Sequence, residues 1–239
     1  MENGIALEKK EVNRVKKDHF LLDTWKRMCK NKLALIGISI ILIQVILAIF
    51  APVLVTHNPY KQDLASAKLG IGTAGHFLGT DNYGRDMWSR LVYGARISLI
   101  VGLTSVALGL IGGVLLGLIS GYFKKLDAFI MRIVDLLFAF PGTLLAMLII
   151  AMLGTSLVNV IIAISIWSIP GCARIVRGSV LSVKNQEYIL AMKSIGASHT
   201  RIIFKHILPN CTAPIIIFAT TRMATAILSC ASLSYLGLG

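Results

Sequence analysis

The feature that most constrains this chain is a series of apolar runs, each about 20 residues or longer and almost free of charge. About 20 residues rising 1.5 Å each cross the roughly 30 Å hydrocarbon core of a bilayer. Inside that core no water can satisfy a backbone N–H or C=O, so runs of this length span as helices. Five spans are read, at about 33–55, 97–120, 128–153, 156–180 and 207–231. The expected fold is all-α, a polytopic transmembrane helix bundle. Composition agrees: 56% of the 239 residues are hydrophobic and 15% charged, where a soluble domain is nearer half and a quarter. Residues 1–32 form a polar tail in which "HFLLDTWKRMCKN" (19–31) reads either as an interfacial helix or as the basic flank of the first span.

The net charge of +13 would suggest nucleic acid in a soluble protein. Here the placement of basic residues explains it without that partner. The tail is rich in Lys and Arg, and Lys124, Lys125 and Arg132 flank the link between spans 2 and 3. Arg174, Arg177, Lys184, Lys193, Arg201 and Lys205 lie in or beside the segment before span 5. The opposite face holds the smaller set Lys61, Lys68, Arg85, Arg90 and Arg96. Basic residues accumulate on the cytoplasmic side, so the N-terminus and the segment around 187–210 are expected to be cytoplasmic. Cys29, Cys172, Cys211 and Cys230 have no zinc-type or redox spacing and read as buried or incidental thiols.

Within the spans, Ser105, Gly109, Gly113, Gly117 and Gly121 recur every four residues. Such a bare face lets another helix backbone approach closely, in the same subunit or in a second one. Pro141 in "FAFPG" and Pro170 in "WSIPGCAR" each remove a backbone donor and predict a kink or break. Breaks of this kind suit a transport path and also occur in helices that only pack. Arg222 lies deep in span 5, where a charge is costly unless it meets water or a partner. Three roles fit it: lining a path, pairing with Asp135, or snorkelling.

Between spans 4 and 5 runs a polar segment, about 183–209. Read as a helix, "QEYILAMKSI" puts Tyr188, Ala191, Met192 and Ile195 on one face, with Gln186, Glu187, Lys193 and Ser194 largely opposite. Gly196 ends the helix, Ser198 caps a second one through Ile207, and Leu208-Pro209 turns into span 5. This helix–turn–helix lies outside the bilayer, so its apolar stripe needs a protein groove or the interface.

"YILAMKSIGASHTRIIFKHILPN" resembles the EAA loop of permeases in binding-protein-dependent ABC importers. Ala191, Gly196, Leu208 and Pro209 match that loop, while Leu190 replaces its Glu, Met192 its second Ala and His206 its Ile. Glu187 stands one turn earlier. "HFLGTDNYGRDMWSRLVYGARISLIVG" (76–102), "ARIVRG" and "ASLSYLGLG" resemble the second permease subunit of the dipeptide, oligopeptide and nickel importers. The resemblance runs from about Lys32 to the end.

The resemblance implies a MetI-like permease domain over 33–239 and six spans, so that five make the chain read as C-terminally incomplete. It also implies a bacterial inner-membrane location, a second homologous permease subunit, two ATP-binding subunits and an extracytoplasmic substrate-binding protein. Glu187, Ala191, Met192, Gly196, Leu208 and Pro209 would then form the ATPase-coupling loop. Gly109, Gly113, Gly117 and Gly121 would pack helices, Arg222 and Pro170 would border the path, and Asp81, Arg85, Asp86 and Arg90 would form an external rim. In that rim Thr80 or Asp81 begins a turn, Gly84 leads into a helix, and Asp86 and Arg90 are spaced to pair.

No GxxxxGK[ST] is present, so ATP is expected on partner subunits and no cofactor on this chain. The five scattered histidines suggest neither a nucleophile arrangement nor a metal site. Di- or oligopeptide import is the favoured activity, with nickel import as the alternative. A membrane enzyme would need paired carboxylates or a His cluster at one depth, and a channel would not need the coupling loop.

Overall fold

The structure, a computed structural model, describes residues 31–73 and 75–238. The tail and its expected interfacial helix lie outside the described residues, apart from Asn31 and Lys32. The regular elements of the described residues are all helices, apart from a lone β-bridge between Thr80 and Asp86. Among the described residues four helices are long and apolar enough to cross a membrane, and a bent pair supplies a fifth span if counted as one.

The chain divides into two compact units, one through Arg96 and one from Ile97. The first contains α1 (Lys32–Ile49), the single turn α2 (Ala51–Leu54) and a long loop with a 3-10 turn at Leu64–Ser66. Asn31 caps α1 through its Oδ1, which accepts the Leu33 and Ala34 N–H groups. Most residues of α1 are exposed, as befits a helix whose solvent is lipid.

Helix α3 runs from Met87 to Tyr122 and starts ten residues before the expected span. Its first turns carry Arg90 and Arg96, which hydropathy alone reads as loop. The second unit adds α4 (Lys124–Phe138), α5 (Gly142–Leu153) and α6 (Leu157–Val183). The loop helices are α7 (Glu187–Ser194), α8 (His199–Ile202) and the short α9 (Leu208–Asn210), and α10 (Thr212–Tyr235) follows.

The two expected proline breaks come out differently. Helices α4 and α5 meet at an 88° bend around Pro141, so span 3 is a broken pair. Helix α6 instead continues unbroken through Pro170. The difference lies in the surroundings: Pro170 is buried among packed helices, which hold its turn in place, whereas 139–141 is exposed.

The small-residue face of α3 packs against α6 of the same chain. A Cβ added at Gly109 would stand 2.7 Å from the Ser168 Cβ, and at Gly117 2.7 Å from the Ala173 carbonyl. At Gly121 it would stand 2.7 Å from the Val180 Cβ, and at Gly113 it would overlap Cys172. Backbone-to-backbone packing this close admits no side chain. Two apolar clusters flank this seam. One joins Val101, Ala146, Ile150, Ile164, Ala226 and Leu233. The other carries Leu118, Val176 and Val180 toward the loop helices.

Candidate functional site

The loop between α6 and α10 has the helix–turn–helix order that its sequence suggests. Gly196 takes φ +79°. Its N–H reaches the Lys193 carbonyl at 3.0 Å and the Ala197 N–H reaches Met192 at 3.0 Å, closing a Schellman end to α7. The Ser198 Oγ accepts the Arg201 N–H and caps α8. The second helix does not stay α-helical to Ile207: Ile203–Ile207 widens into a π turn. Pro209 has no N–H to offer the Lys205 carbonyl, and a wider turn redistributes those bonds.

Of the stripe Tyr188, Ala191, Met192 and Ile195, all but Met192 are exposed. Ile189, Ile202, Ile203 and Ile207 are buried against the ends of α3 and α6, and Met192 packs beside them. Tyr188, Leu190 and Ile195 remain outside, at 41%, 49% and 81% exposure. Helix α7 has apolar residues on two sides, and eight residues of sequence do not say which side meets the bundle. The inward side stabilises the loop, and the outward side is left as an apolar surface.

Side chains that sequence reading missed clamp this loop to the corner joining α3 and α4. Tyr122 Oη lies 2.8 Å from His199 Nδ1, and the Lys193 ammonium lies 5.4 Å from the Tyr122 ring centroid. Lys184 Nζ donates to the Gly121 carbonyl at 2.6 Å, and burial pushes its pKa below the usual lysine value. Asn210 Nδ2 donates to Tyr188 Oη at 3.2 Å and ties the loop's two ends together. Arg177 forks onto Asp127 at 2.6 and 2.7 Å. The partners are 22 to 77 residues apart, and no local pattern announces such pairs.

Arg222 does not pair with Asp135, which is held by Arg174 at 2.7 Å. Its guanidinium instead lies 4.7 Å from the Trp167 ring centroid and 5.5 Å from that of Phe218. Its Nε is buried without a hydrogen-bond partner among the described residues. Helix α10 begins at Thr212, which puts Arg222 only about 15 Å along it. Trp167 and Pro170 border a cavity of about 360 Å³ with Phe138, Phe140, Pro141 and Gly142 at the α4–α5 bend.

In the first unit, Gly84 at φ +71° passes so close to Asp63 that an added Cβ would overlap the Asp63 carbonyl. Asp81 accepts the Tyr83 and Arg85 N–H groups and the Arg85 guanidinium. Burial opposes its charge, but these donors win and its pKa falls below 3.8. The expected Asp86–Arg90 side-chain pair is not made. Arg90 reaches Asp81 at 3.9 Å and the Pro59 carbonyl at 3.4 Å. Asp86 is turned inward, where it accepts the Ser89 N–H at 2.7 Å and meets His76 Nδ1 at 2.9 Å. Two of the histidines read as scattered, His57 and His76, thus come together beside a carboxylate. Cys172, Cys211 and Cys230 are buried free thiols, as expected.

Residues 113–239, more than half of the chain, match the family described as binding-protein-dependent transport system inner membrane component. The chain belongs to this family. Residues 20–70 also match the N-terminal TM domain of oligopeptide transport permease C. The chain is 48% identical over 218 residues to the dipeptide transport system permease protein DppC of Alkalihalophilus pseudofirmus, covering 91% of this chain and 71% of that one. It is 42% identical over 225 residues to a di/tripeptide transport system permease protein of Pseudomonas aeruginosa (92% and 74%). It is also 41% identical over 217 residues to a glutathione transport system permease protein of Pectobacterium atrosepticum (90% and 72%). In fold it is similar to a chain of the MetNI methionine ABC transporter in an inward-facing conformation. That match has a TM-score of 0.57 and 23% identity, and covers 64% of this chain and 76% of the other. The MetI-like permease fold is therefore the right one, and the all-α polytopic expectation holds.

Proposed function

We propose that this chain is the permease subunit of an ATP-driven importer that admits di- and oligopeptides, and that its loop from about 183 to 209 is where separate ATPase subunits engage it. One observation carries the coupling role: a loop fastened to its own bundle by buried isoleucines still presents Tyr188, Leu190 and Ile195 outward. An apolar face beside Glu187 and Lys193 suits a groove on another protein. Fastening through Ile189, Lys184 and His199 turns a push on the loop into a movement of α3 and α6. Peptide import rests on the relatives, whose names specify dipeptide, di/tripeptide and peptide transport.

In this reading the N-terminus and the loop are cytoplasmic, as the distribution of Lys and Arg favours. Asp81, Arg85, Asp86 and Arg90 belong to an extracytoplasmic segment that meets the substrate-binding protein. Arg222 and Pro170 border the path. ATP is bound and hydrolysed by the ATPase subunits, and the second half of the path comes from a homologous permease.

The test is co-purification of the ATPase subunits with this chain, followed by transport of a labelled dipeptide in proteoliposomes. Replacing Leu190 and Ile195 with Asp should abolish ATPase retention while leaving the two permeases together. Retention of the ATPase by that variant would refute the assignment. The peptide retained by the cognate binding protein identifies the substrate.

A further inference from the structure

We propose that His57, His76 and Asp86 form a binding site for a divalent first-row transition ion of the Zn²⁺ or Ni²⁺ type. The three residues lie within the first unit.

One ligand atom from each residue falls within 4.8 Å of the others. His76 Nδ1 and Asp86 Oδ1 are 2.9 Å apart. Two ligands about 2.1 Å from an ion are separated by about 3.0 Å at 90° and about 3.4 Å at the tetrahedral angle of Zn²⁺, so the pair opens by at most about 0.5 Å to take an ion. The pair therefore has the span of one edge of a coordination shell, with the ion replacing the shared proton. The His57 ring centroid lies 4.4 Å from that of His76, with the planes tilted by 32°. His57 is exposed, and a turn about its side-chain bonds brings it in as the third ligand.

The surroundings hold the set in place. Asp86 is only 2% exposed, and its other oxygen is fixed by the Ser89 N–H at 2.7 Å. The same Ser89 accepts the His57 N–H at 3.2 Å through its Oγ. Trp88 Nε1 donates to the Leu54 carbonyl at 3.0 Å and anchors the chain just before His57. The three residues face a cavity of about 80 Å³ shared with Asn58, Lys61 and Asp63. Water occupies about 30 Å³ per molecule, so there is room for an ion and a water or two. Asp63 is already engaged by the Ala65 N–H and the Ser66 hydroxyl. Two imidazoles and one carboxylate select Zn²⁺, Ni²⁺ and similar ions over Mg²⁺ or Ca²⁺, which require mostly oxygen ligands. Bound there, the ion would staple the residues after α2, the 76–79 loop and the start of α3.

The experiment uses the assembled transporter in detergent, carrying an affinity tag without histidine and stripped with a chelator. Titration with Zn²⁺ should show one more saturable site per copy of this chain in the wild type than in His57→Gln or His76→Gln, with affinity at that site falling at least tenfold. Mg²⁺ at the same concentration should not compete. A second measurement needs no variant: Zn²⁺ should protect His57 from diethyl pyrocarbonate, read by mass spectrometry, by at least tenfold. Equal Zn²⁺ stoichiometry in wild type and both variants, or unprotected His57 at saturating Zn²⁺, would overturn the site.

Discussion

The hydroxyl of Tyr122, at the last turn of α3, lies 2.8 Å from Nδ1 of His199 at the start of α8. This contact joins a bundle helix to the candidate coupling loop across 77 residues of sequence. The Tyr122, Phe123 and His199 rings stack edge to face around it, with centroids 4.9 to 5.9 Å apart. Replacing Tyr122 with Ala removes the bond, the ring contacts and the seat for Lys193. The expected outcome is a transporter that assembles and hydrolyses ATP but imports several-fold less peptide per ATP. Parallel uptake and phosphate-release measurements in proteoliposomes check it, and an unchanged ratio would count against the clamp.

The α3–α6 seam predicts a loss of folding rather than of coupling. A side chain at Gly113 overlaps Cys172, and the Ile169 carbonyl is 3.0 Å away. Overpacking a close seam costs about 1–3 kcal/mol where helices can shift, and here both are held along several turns. Gly113→Leu should lower the yield of folded chain and its thermal midpoint, read by size-exclusion fluorescence. Gly178→Ala is the control, because an added Cβ there meets nothing within 4 Å.

Arg222 gives a third prediction. Its guanidinium lies against Trp167 and Phe218 and has no carboxylate partner among the described residues. A structural ion pair is thereby replaced by an aromatic seat worth about 0.5–2 kcal/mol. Arg222→Leu should leave assembly intact while reducing uptake of peptides with a charged terminal carboxylate more than uptake of amidated ones. Equal loss for both peptide types would remove Arg222 from substrate contact.

The turn around Asp81 predicts an acid dependence. Its carboxyl has a folded pKa below 3.8 because donors hold the charged form. A depressed carboxyl contributes stability that is fully present above the unfolded value and is lost as pH falls through the folded one. The thermal midpoint of wild type should therefore exceed that of Asp81→Asn at pH 6–7, and the gap should begin to narrow near pH 3.8 and shrink further as the pH falls through the lower folded value. A gap that persists at low pH would mean that geometry, not charge, holds this turn.

The sequence by itself determined the class and the order of the elements. Hydropathy over about 20 residues is a local property set by the bilayer, so the spans were legible, as were the Gly196 stop, the Ser198 cap and the break at Pro141. Only the tertiary structure decided which faces meet. The glycine face of α3 turned to α6, Ile189 rather than Tyr188 faced inward, Pro170 stayed within an unbroken helix, and Asp86 chose His76 over Arg90. Each choice is a competition between partners distant along the chain, settled by close packing and by the cost of leaving a buried polar group unpaired. Neither force leaves a local trace in the order of residues.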